Sequence, residues 1–450
     1  MFQHRDSSPR AELTGRQSLY PVCLVTSLFF LWGFSYGLLD TLNKHFQDTL
    51  GIGKSRSAGL QAAYFGAYPL ASLGHAAWTL QRFGYRATFV WGLCLYGLGA
   101  VLAIPAIKCR SFGGFCACIF VIGSGLGSLE TAANPYMGAC GPARYSEIRL
   151  NIAQAFSGVG SVVAPVVGSF AFFRLDAEGA LQNVQWIYLA VALLVFALAV
   201  IFFISDIPEA YEDDDETMAK GDNGGLTSSQ RWRLLHAALA QFCCTGAQIA
   251  IAGYFINYVT ETRPRTRPAL ASQLLAGAQG AFALGRFVGA ALMRFIRPRV
   301  VLCAFTTLSV ALVAPAVALR GNSGVLVICL SMFFESVCFP TIVALGIRGL
   351  GRHSRRGSGY VVGGIVGGAC VPPLMGAVAD ARGTAMGMTV PLGFLAAGWT
   401  YALAVNAVPA YRAVIDGGNS VESDSEGDGE PVMERSGEGV LELGRRWRRG

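Results

Sequence analysis

The sequence predicts an all-α membrane protein with twelve transmembrane helices in two pseudo-symmetric six-helix halves. Three observations predict this fold class: an apolar composition, twelve long apolar runs and an internal repeat. Of the 450 residues, 53% are apolar and only 14% are charged, whereas about 25% of the residues in a soluble domain are charged. The net charge of +7 is too small for the broad basic surface of a nucleic-acid-binding protein. The composition therefore excludes a soluble enzyme and indicates that the protein is embedded in a lipid bilayer.

Twelve apolar runs, bounded by charged residues, proline or glycine, are each long enough to cross about 30 Å of hydrocarbon. They are too long and too evenly apolar to be the strands of a membrane barrel. We predict helices over residues 18–46, 57–81, 84–106, 112–140, 147–174, 185–205, 232–261, 270–296, 299–320, 322–350, 354–380 and 388–412.

An internal repeat indicates that the helices form two similar halves. Glu130 and Pro135 recur as Glu335 and Pro340, an offset of 205 residues. Two further motifs recur in chain order at offsets of 212 and 208 residues. Parallel halves of this kind are typical of transporters that bind substrate between the halves near the membrane midplane.

A polar segment with an acidic run at 212–216 separates the two repeats, and the residues after about 413 are rich in Gly, Ser, Asp and Glu. Such compositions predict a flexible linker and a disordered tail. Basic residues favour the loops on the side of both termini by thirteen to ten, so we expect both termini in the cytoplasm of a plasma-membrane protein. The predicted divisions are a tail at 1–17, a helix bundle at 18–205, an acidic cytoplasmic linker at 206–231, a second bundle at 232–412 and a tail at 413–450.

Three acidic residues, Asp40, Glu130 and Glu335, lie well inside predicted helices, where an ionisable group is costly and marks a candidate functional site. The sequence leaves open whether Glu335 is functional or structural. Asp40 follows Trp32 and Tyr36 at four-residue spacing, so the three share one helix face. Glu130 lies in a glycine-rich run and shares its face with Asn134. Burial without a nearby cation favours the protonated carboxyl, so we predict that Asp40 and Glu130 bind and release a coupled proton. A fixed structural role for either acid is the alternative.

Aromatic and amide side chains at helical spacing favour a neutral, polyhydroxylated ligand. Aromatic rings cover the C–H face of a sugar ring, and amides or carboxylates hold its hydroxyls. Hydrogen bonding between helices is the alternative for each amide, and the sequence leaves open whether Arg286 pairs across a cavity or reaches the membrane surface. The predicted sugar-binding residues are Trp32, Tyr36, Gln61, Tyr64, Glu130, Asn134, Gln154, Gln241, Gln248 and Asn257.

The sequence gives no reason to expect an enzyme, a cofactor or a metal. The five histidines lie far apart without metal-ligand spacing. No nucleophile and base pattern is visible, and no Walker motif indicates ATP as an energy source. We expect a monomer whose ligands are a small sugar and a proton, with no nucleic-acid partner.

Several motifs occur together in a consistent order along residues 25–405: Ser27–Trp32, Asp40, Leu129–Pro135, Arg149–Gln154, Ala240–Gln248, Gly285–Phe287 and Phe339–Ile342. In these motifs the chain resembles the fucose permease branch of the major facilitator superfamily, the fucose–galactose–glucose:proton symporters. The resemblance implies the major facilitator fold. It also implies that the acid at Asp40 takes part in proton transfer, and that the acid at Glu130 takes part in sugar recognition and coupling.

The chain departs from the bacterial members of that branch at several sugar-facing positions. It has Gly37, Leu38 and Leu39 where they carry asparagines, Ser157 where they carry asparagine, and Cys338 where they carry glutamine. Its resemblance to fungal members is closer, so a glucose- or galactose-type hexose is expected at least as strongly as fucose.

The main interpretation is therefore a proton-driven importer of a hexose or deoxyhexose that works by alternating access. A sugar facilitator and a carrier of a non-sugar compound are alternatives within transport. A sugar sensor that does not transport is an alternative from another class.

Overall fold

A computed structural model describes residues 15–139, 146–171, 177–205, 207, 226–350 and 354–415. The predicted tails, except residues 15–17 and 413–415, and nearly all of the linker lie outside these residues. The described helices are Gly15–Leu50, Lys54–Ser57, Gly59–Leu70, Ala71–His75 (a π-helical turn), Ala76–Lys108, Phe112–Ala139, Ser146–Ala171, Ala177–Ile204, Ser228–Gly253, Phe255–Thr262, Pro268–Met293, Pro298–Ala316, Gly321–Glu335, Cys338–Ile347, Ser354–Gly363, Gly364–Val366 (a 3₁₀ turn), Gly367–Arg382, Thr384–Gly387 and Thr389–Ala407.

The described helices form twelve membrane spans, numbered here in chain order: 15–50, 54–83, 84–108, 112–139, 146–171, 177–204, 228–262, 268–293, 298–316, 321–347, 354–382 and 384–407. Eleven helical stretches are long and apolar enough to cross a membrane. One of them, Lys54–Lys108, has 55 residues and holds two spans, because the chain turns back at Gly84 with φ +81° and ψ −172°. Glycine is needed there, since that φ places a side chain in a strained region. The predicted all-α fold class is confirmed.

Glycines bring the backbones of spans 1 and 5 into direct contact. A Cβ atom on Gly33 would lie 1.8 Å from the Ser157 carbonyl oxygen, and one on Gly160 would lie 2.3 Å from the Phe30 carbonyl oxygen. The second half repeats this contact between spans 7 and 11, where a Cβ on Gly367 would lie 2.0 Å from the Phe242 carbonyl oxygen. Small residues at such crossings let membrane helices approach closely.

Several spans differ in extent or continuity from the sequence prediction. The first helix continues to Leu50 rather than ending near residue 46, because Asn43 and Gln47 are buried against the seventh span rather than exposed. The seventh span is interrupted at Tyr254, and the tenth is interrupted at Ser336 and Val337. The sequence analysis predicted continuous helices at both places.

The two halves meet along spans 2 and 11, 5 and 8, and 1 and 7. A Cβ on Gly66 of span 2 would lie 3.9 Å from the Ala369 Cβ of span 11. Ser272 of span 8 donates a hydrogen bond of 2.7 Å to the Pro165 carbonyl of span 5. These contacts enclose a space between the halves, which holds the candidate site.

Candidate functional site

A cavity lies between the two halves and is lined by residues from both. The empty space within it, including the part that is open to solvent, is about 670 Å³. The lining residues are Trp32, Tyr36, Phe65, Glu130, Gln154, Ser157, Gly158, Ser161, Thr245, Gln248, Ile249, Gln279, Phe282, Arg286, Phe339 and Ile365.

The predicted aromatic face of the first span lines this cavity. The rings of Trp32 and Tyr36 lie parallel, with centroids 6.2 Å apart and an interplanar angle of 13°. The Trp32 indole nitrogen donates a hydrogen bond to the Tyr68 hydroxyl of span 2, which fixes the orientation of the indole ring. The two aromatic rings therefore form one wall of the cavity that can cover the apolar face of a ring-shaped ligand.

A charged and polar cluster forms another part of the cavity wall. Arg286 of span 8 donates a hydrogen bond of 2.8 Å from Nη1 to the Gln154 side-chain oxygen of span 5. Its guanidinium carbon lies 4.9 Å from the centroid of the Phe282 ring, and Glu130 lies within its electrostatic range. Arg286 therefore points into the cavity and links the two halves there, which decides the question that the sequence left open.

Glu130 lines the cavity and has one unpaired carboxyl oxygen. Its Oε2 atom is buried and has no hydrogen-bond partner among the residues that the structure describes. Asn134, one helical turn later, and Tyr68 of span 2 approach the carboxyl group. Buried polar atoms are seldom left unpaired, so an unpaired carboxyl oxygen on the cavity wall is suited to accept a hydrogen bond from a ligand hydroxyl.

Asp40 lies outside the cavity lining, one helical turn beyond Tyr36, and is fully buried. Gln61 and Tyr36 approach the carboxyl group, but neither carboxyl oxygen has a partner within hydrogen-bond geometry. Gly253 of span 7 faces the same place, since a Cβ on it would lie 3.6 Å from Asp40 Oδ1. A buried carboxylate without a cation is costly, so this position favours a carboxyl that carries a proton.

Besides Asp40, five predicted residues lie outside the cavity lining: Gln61, Tyr64, Asn134, Gln241 and Asn257. Asn134 lies beside Glu130. Gln61 adjoins Asp40, and Tyr64 is buried with an unpaired hydroxyl. Gln241 donates a hydrogen bond of 2.7 Å to Thr245, which itself lines the cavity. Asn257 bonds to Gln47, away from the cavity.

Three residues that line the cavity were not predicted from the sequence as site residues: Gln279, Phe282 and Phe339. Phe339 was noted only as part of a family motif. Gln279 lies in an amide-poor, small-residue stretch of span 8, and no periodic polar stripe marks it. Only the packing of the two halves brings these side chains to the wall.

Polar contacts close the space between the halves at one end, here called the closed end, which carries residues 51–53. Lys54 forms an ion pair of 2.7 Å with Glu261. Asp380 accepts hydrogen bonds of 2.7 and 2.8 Å from the backbone N–H groups of Lys54 and Ser55. Glu261 also accepts two hydrogen bonds of 2.8 Å from Thr384. We call Lys54, Glu261, Asp380 and Thr384 the closing cluster.

The pKa of Glu261 reflects these contacts. Partial burial raises the pKa of this carboxyl, but hydrogen bonds from Lys54 and Thr384 and the charge of Lys54 outweigh that effect and lower it below its ordinary value. Glu261 is therefore ionised at neutral pH and holds its lysine partner.

Comparison with known proteins assigns the family. Residues 25–368 match the family model of the Major Facilitator Superfamily, which is well over half of the chain. The chain belongs to the major facilitator superfamily. The twelve-span fold in two halves, with a cavity between them, is the structural counterpart of that match.

The chain is similar in sequence to bacterial sugar transporters of this superfamily. It is 33% identical over 390 residues to the L-fucose-proton symporter of Escherichia coli (strain K12), covering 82% of this chain and 89% of that protein. It is 32% identical over 393 residues to the glucose/galactose transporter of Brucella abortus biovar 1 (strain 9-941), covering 86% of this chain and 94% of that protein.

Solved structures give the same result. A major facilitator transporter crystallised in the outward conformation matches with a TM-score of 0.65 and 30% identity, covering 86% of this chain and 98% of that one. A D-xylose-proton symporter matches with a TM-score of 0.67. Its identity of 12% supports the fold alone.

Proposed function

We propose that this protein is a secondary active transporter that takes up a hexose or deoxyhexose sugar together with protons by alternating access. The observation that carries the proposal is the fully buried, unpaired carboxyl of Asp40, one helical turn from a cavity lined by aromatic, amide and carboxyl groups. The similarity to the fucose-proton symporter and the glucose/galactose transporter supports the same substrate class. Since the relatives named are transporters, we also propose that the protein is not an enzyme.

We assign the sugar to the cavity and the proton to the acids beside it. Trp32 and Tyr36 would cover the apolar face of the sugar ring, while Glu130, Gln154 and Gln248 would hold its hydroxyls. Asn134 would orient Glu130, and Gln241 would orient Thr245. Gln61 and Tyr64 would act through Asp40 and Glu130 rather than touch the sugar, and Asn257 would help to hold the closed end.

The protonation of Asp40 explains how this geometry would couple the movement of a proton to the movement of the sugar. Among the described residues Asp40 forms no ion pair and neither of its oxygens has a hydrogen-bond partner, so closing the protein around its carboxylate costs more than closing around the neutral acid. In the proposed cycle, proton binding at Asp40 and sugar binding at Glu130 together allow the loaded halves to reorient. Release of the proton on the other side then returns the carrier to a state that must reload.

We further propose that the protein acts as a monomer in the plasma membrane, with both termini and the linker at 206–231 in the cytoplasm. The bias of basic residues supports this orientation. In it, the closing cluster faces the outside, and the conformation described here is closed to the outside. A closer relationship to fungal members of the branch stays a prediction, since the relatives compared above are bacterial.

The test is uptake of labelled D-glucose, D-galactose and L-fucose into proteoliposomes that hold the purified protein, with and without an imposed inward proton gradient. We expect accumulation of at least one sugar above its outside concentration, and only with the gradient. Uptake that reaches equal concentrations regardless of the gradient would indicate a facilitator. Saturable sugar binding without uptake would indicate a sensor, and neither binding nor uptake of any of the three would indicate a non-sugar carrier.

A further inference from the structure

A third buried acid lies in the second half, and it belongs neither to the cavity lining nor to the closing cluster. Glu335 is 1% exposed and ends the helix Gly321–Glu335 inside the tenth span. Ser309 of span 9 donates a hydrogen bond of 3.1 Å to its Oε1 atom. Its Oε2 atom is buried without a hydrogen-bond partner in the structure.

The span is broken directly after this acid. Ser336 and Val337 leave the helix, and a new helix begins at Cys338. Pro340 accounts for the break, because proline has no N–H to donate to the carbonyl of the residue four positions earlier, Ser336. Interrupted membrane helices with free backbone groups are typical of ion-binding sites in transporters.

No cation neutralises Glu335 among the described residues, where it forms no ion pair. Arg286 on the neighbouring span 8 is hydrogen bonded to Gln154 and lies near Glu130. Arg299 on span 9 is hydrogen bonded to Asn406. Tyr36 of span 1 and Cys338 of its own span lie within electrostatic range of the Glu335 carboxyl. The neighbouring spans also carry Cys244, Tyr258, Arg286, Arg299 and Cys303, and its own span carries Cys329.

Glu335 lies close behind the cavity wall. Phe339, one helical turn later, lines the cavity, as does Tyr36, whose hydroxyl is within electrostatic range of the Glu335 carboxyl. Span 8 approaches the helix break so closely that a Cβ on Gly285 would lie 2.5 Å from the Ser336 hydroxyl oxygen. A rearrangement of the break would therefore move residues at the wall.

We propose that Glu335 is a second proton-carrying carboxyl, located in the second half, which adds one proton per sugar to the transport cycle. The inference rests on the proposed proton-coupled sugar uptake. When the cavity is open to one side, the Glu335 carboxylate takes a proton from hydronium, which leaves water and a neutral carboxylic acid. When the cavity opens to the other side, the acid returns that proton to water and becomes a carboxylate again.

Closure of the protein around Glu335 favours a neutral carboxyl group. A carboxylate with one hydrogen-bonded oxygen and no cation is costly to bury. The neutral acid is tolerated in the closed arrangement described here, whereas ionisation requires access to water. Loss and gain of the proton are therefore linked to the same movement of the halves that carries the sugar.

The deciding variant is Glu335→Gln, which keeps the shape and the Ser309 contact but cannot carry a proton. With the membrane potential clamped to zero, a proton gradient of one pH unit supports about tenfold sugar accumulation per coupled proton. We expect the wild type to exceed Glu335→Gln about tenfold in the accumulation ratio of whichever of D-glucose, D-galactose and L-fucose it accumulates. Sugar affinity is expected to be unchanged, because Glu335 does not line the cavity.

Two further variants control for a folding defect in Glu335→Gln. Glu335→Asp should restore part of the extra accumulation. Ser331 lies one turn earlier on the same span, and its hydroxyl donates a hydrogen bond to the Ile328 carbonyl of its own helix. Ser331→Ala should therefore match the wild type. Equal accumulation ratios in the wild type and Glu335→Gln would overturn the proposal.

A spectroscopic measurement separates failure of this proposal from failure of the proposed function. The infrared band of protonated carboxyl groups, followed from about pH 5 to about pH 9, should lose one titrating component in Glu335→Gln. A wild type that accumulates none of the three sugars would contradict sugar symport, and the infrared titration would still report whether Glu335 exchanges a proton. An identical titration in the wild type and Glu335→Gln would overturn the proposal whatever the transport result.

Discussion

At the scale of single residues, the proposed coupling of proton and sugar depends on the state of Asp40. Both of its oxygens lack hydrogen-bond partners in a fully buried position, where a charge is costly. An amide at this position resembles the protonated acid permanently. It should therefore allow the protein to reorient but prevent it from coupling that movement to a proton gradient.

Asp40→Asn is expected to abolish accumulation against a gradient while keeping exchange of labelled for unlabelled sugar across the membrane. The measurement is uptake and counterflow in proteoliposomes. Lys44→Gln on the same helix is a suitable control, because Lys44 pairs only with Asp48 near the surface. Full uphill uptake by Asp40→Asn would contradict the proposed mechanism.

Glu130 is expected to contribute to sugar affinity rather than only to coupling. Glu130 lines the cavity, and its buried Oε2 atom has no hydrogen-bond partner among the described residues. A hydrogen bond to a charged group contributes about 1.5–3 kcal/mol. Glu130→Gln should therefore weaken sugar binding about tenfold to a hundredfold, as measured by calorimetry on purified protein.

Ser161→Ala provides the matched comparison for Glu130. Ser161 also lines the cavity, but its hydroxyl is already bonded to the Gly158 carbonyl at 2.9 Å. We expect the sugar affinity of Ser161→Ala to stay within about twofold of the wild-type affinity. Equal affinities for Glu130→Gln and Ser161→Ala would show that Glu130 does not bind the sugar.

At the scale of secondary-structure elements, the closing cluster holds the helix that begins at Lys54 against the ends of spans 7 and 11. Asp380 accepts hydrogen bonds from the first N–H groups of that helix, which have no partner inside a helix. Glu261 joins Lys54 to Thr384, the first residue of the short helix Thr384–Gly387. The cluster thus ties together helix ends from both halves.

Glu261→Gln is expected to open the closed end more often. The ion pair is partly exposed, with side-chain exposures of 19% for Lys54 and 35% for Glu261, so its contribution lies at the low end, up to about 1 kcal/mol. A cysteine at Gly66, which faces Ala369 across the halves, should react up to about fivefold faster with a membrane-impermeant maleimide. Lys44→Gln breaks an ion pair within one helix and should leave this rate unchanged.

The effect of Glu261 should also depend on pH in a defined direction. Because the pKa of Glu261 is lowered in the folded protein, the stabilisation by its ion pair is present above the ordinary glutamate value of about 4.3 and is lost as the pH falls through the lowered value. The ratio of the cysteine reaction rates in Glu261→Gln and the wild type should therefore stay constant from about pH 8 to about pH 5, because the falling thiolate fraction slows both alike. A ratio that fell to one within that range would contradict the assigned ion pair.

At the scale of the whole molecule, alternating access requires spans 2 and 11 to separate. The Cβ position of Gly66 lies 3.9 Å from the Ala369 Cβ, close to the mean separation of about 3.8 Å in disulfides. Gly66→Cys with Ala369→Cys should form a disulfide on oxidation, stop sugar transport and regain it on reduction. Each single variant is the control, because the neighbouring Cys370 is a natural free thiol. Undiminished transport in the oxidised double variant would rule out movement at this contact.

Much of the architecture was predictable from the sequence because lipid imposes a local rule. Each span must pair its own backbone N–H and C=O groups in hydrogen bonds and present about twenty apolar residues. The position of a span can therefore be predicted from the residues of that segment alone. The same rule exposed Asp40 and Glu130 as exceptions, and four-residue spacing placed Trp32 and Tyr36 on one face. All of these are properties of residues near one another in the sequence.

Contacts between distant residues were not predictable in this way. In the sequence, Lys54 lies in a predicted loop, Glu261 and Asp380 end predicted helices, and Asn257 is one more amide in a polar stripe. These residues meet across the two halves at the closed end. Gln279 reaches the cavity wall, while Gln61 lies behind it beside Asp40. The sequence marked Glu335 as the repeat of Glu130, but only the structure shows its unpaired oxygen and the helix break at Ser336.

By itself the sequence therefore determined that the chain crosses a membrane twelve times in two similar halves, and that acids lie at membrane depth. Only the tertiary structure decided which polar groups share the cavity, which close one end, and which remain buried without partners. The physical reason is that the length and the hydropathy of a helix depend on residues that follow one another in the sequence. The rotation of a helix and its partner across the molecule depend on packing between residues up to about three hundred positions apart, as for Lys54 and Asp380.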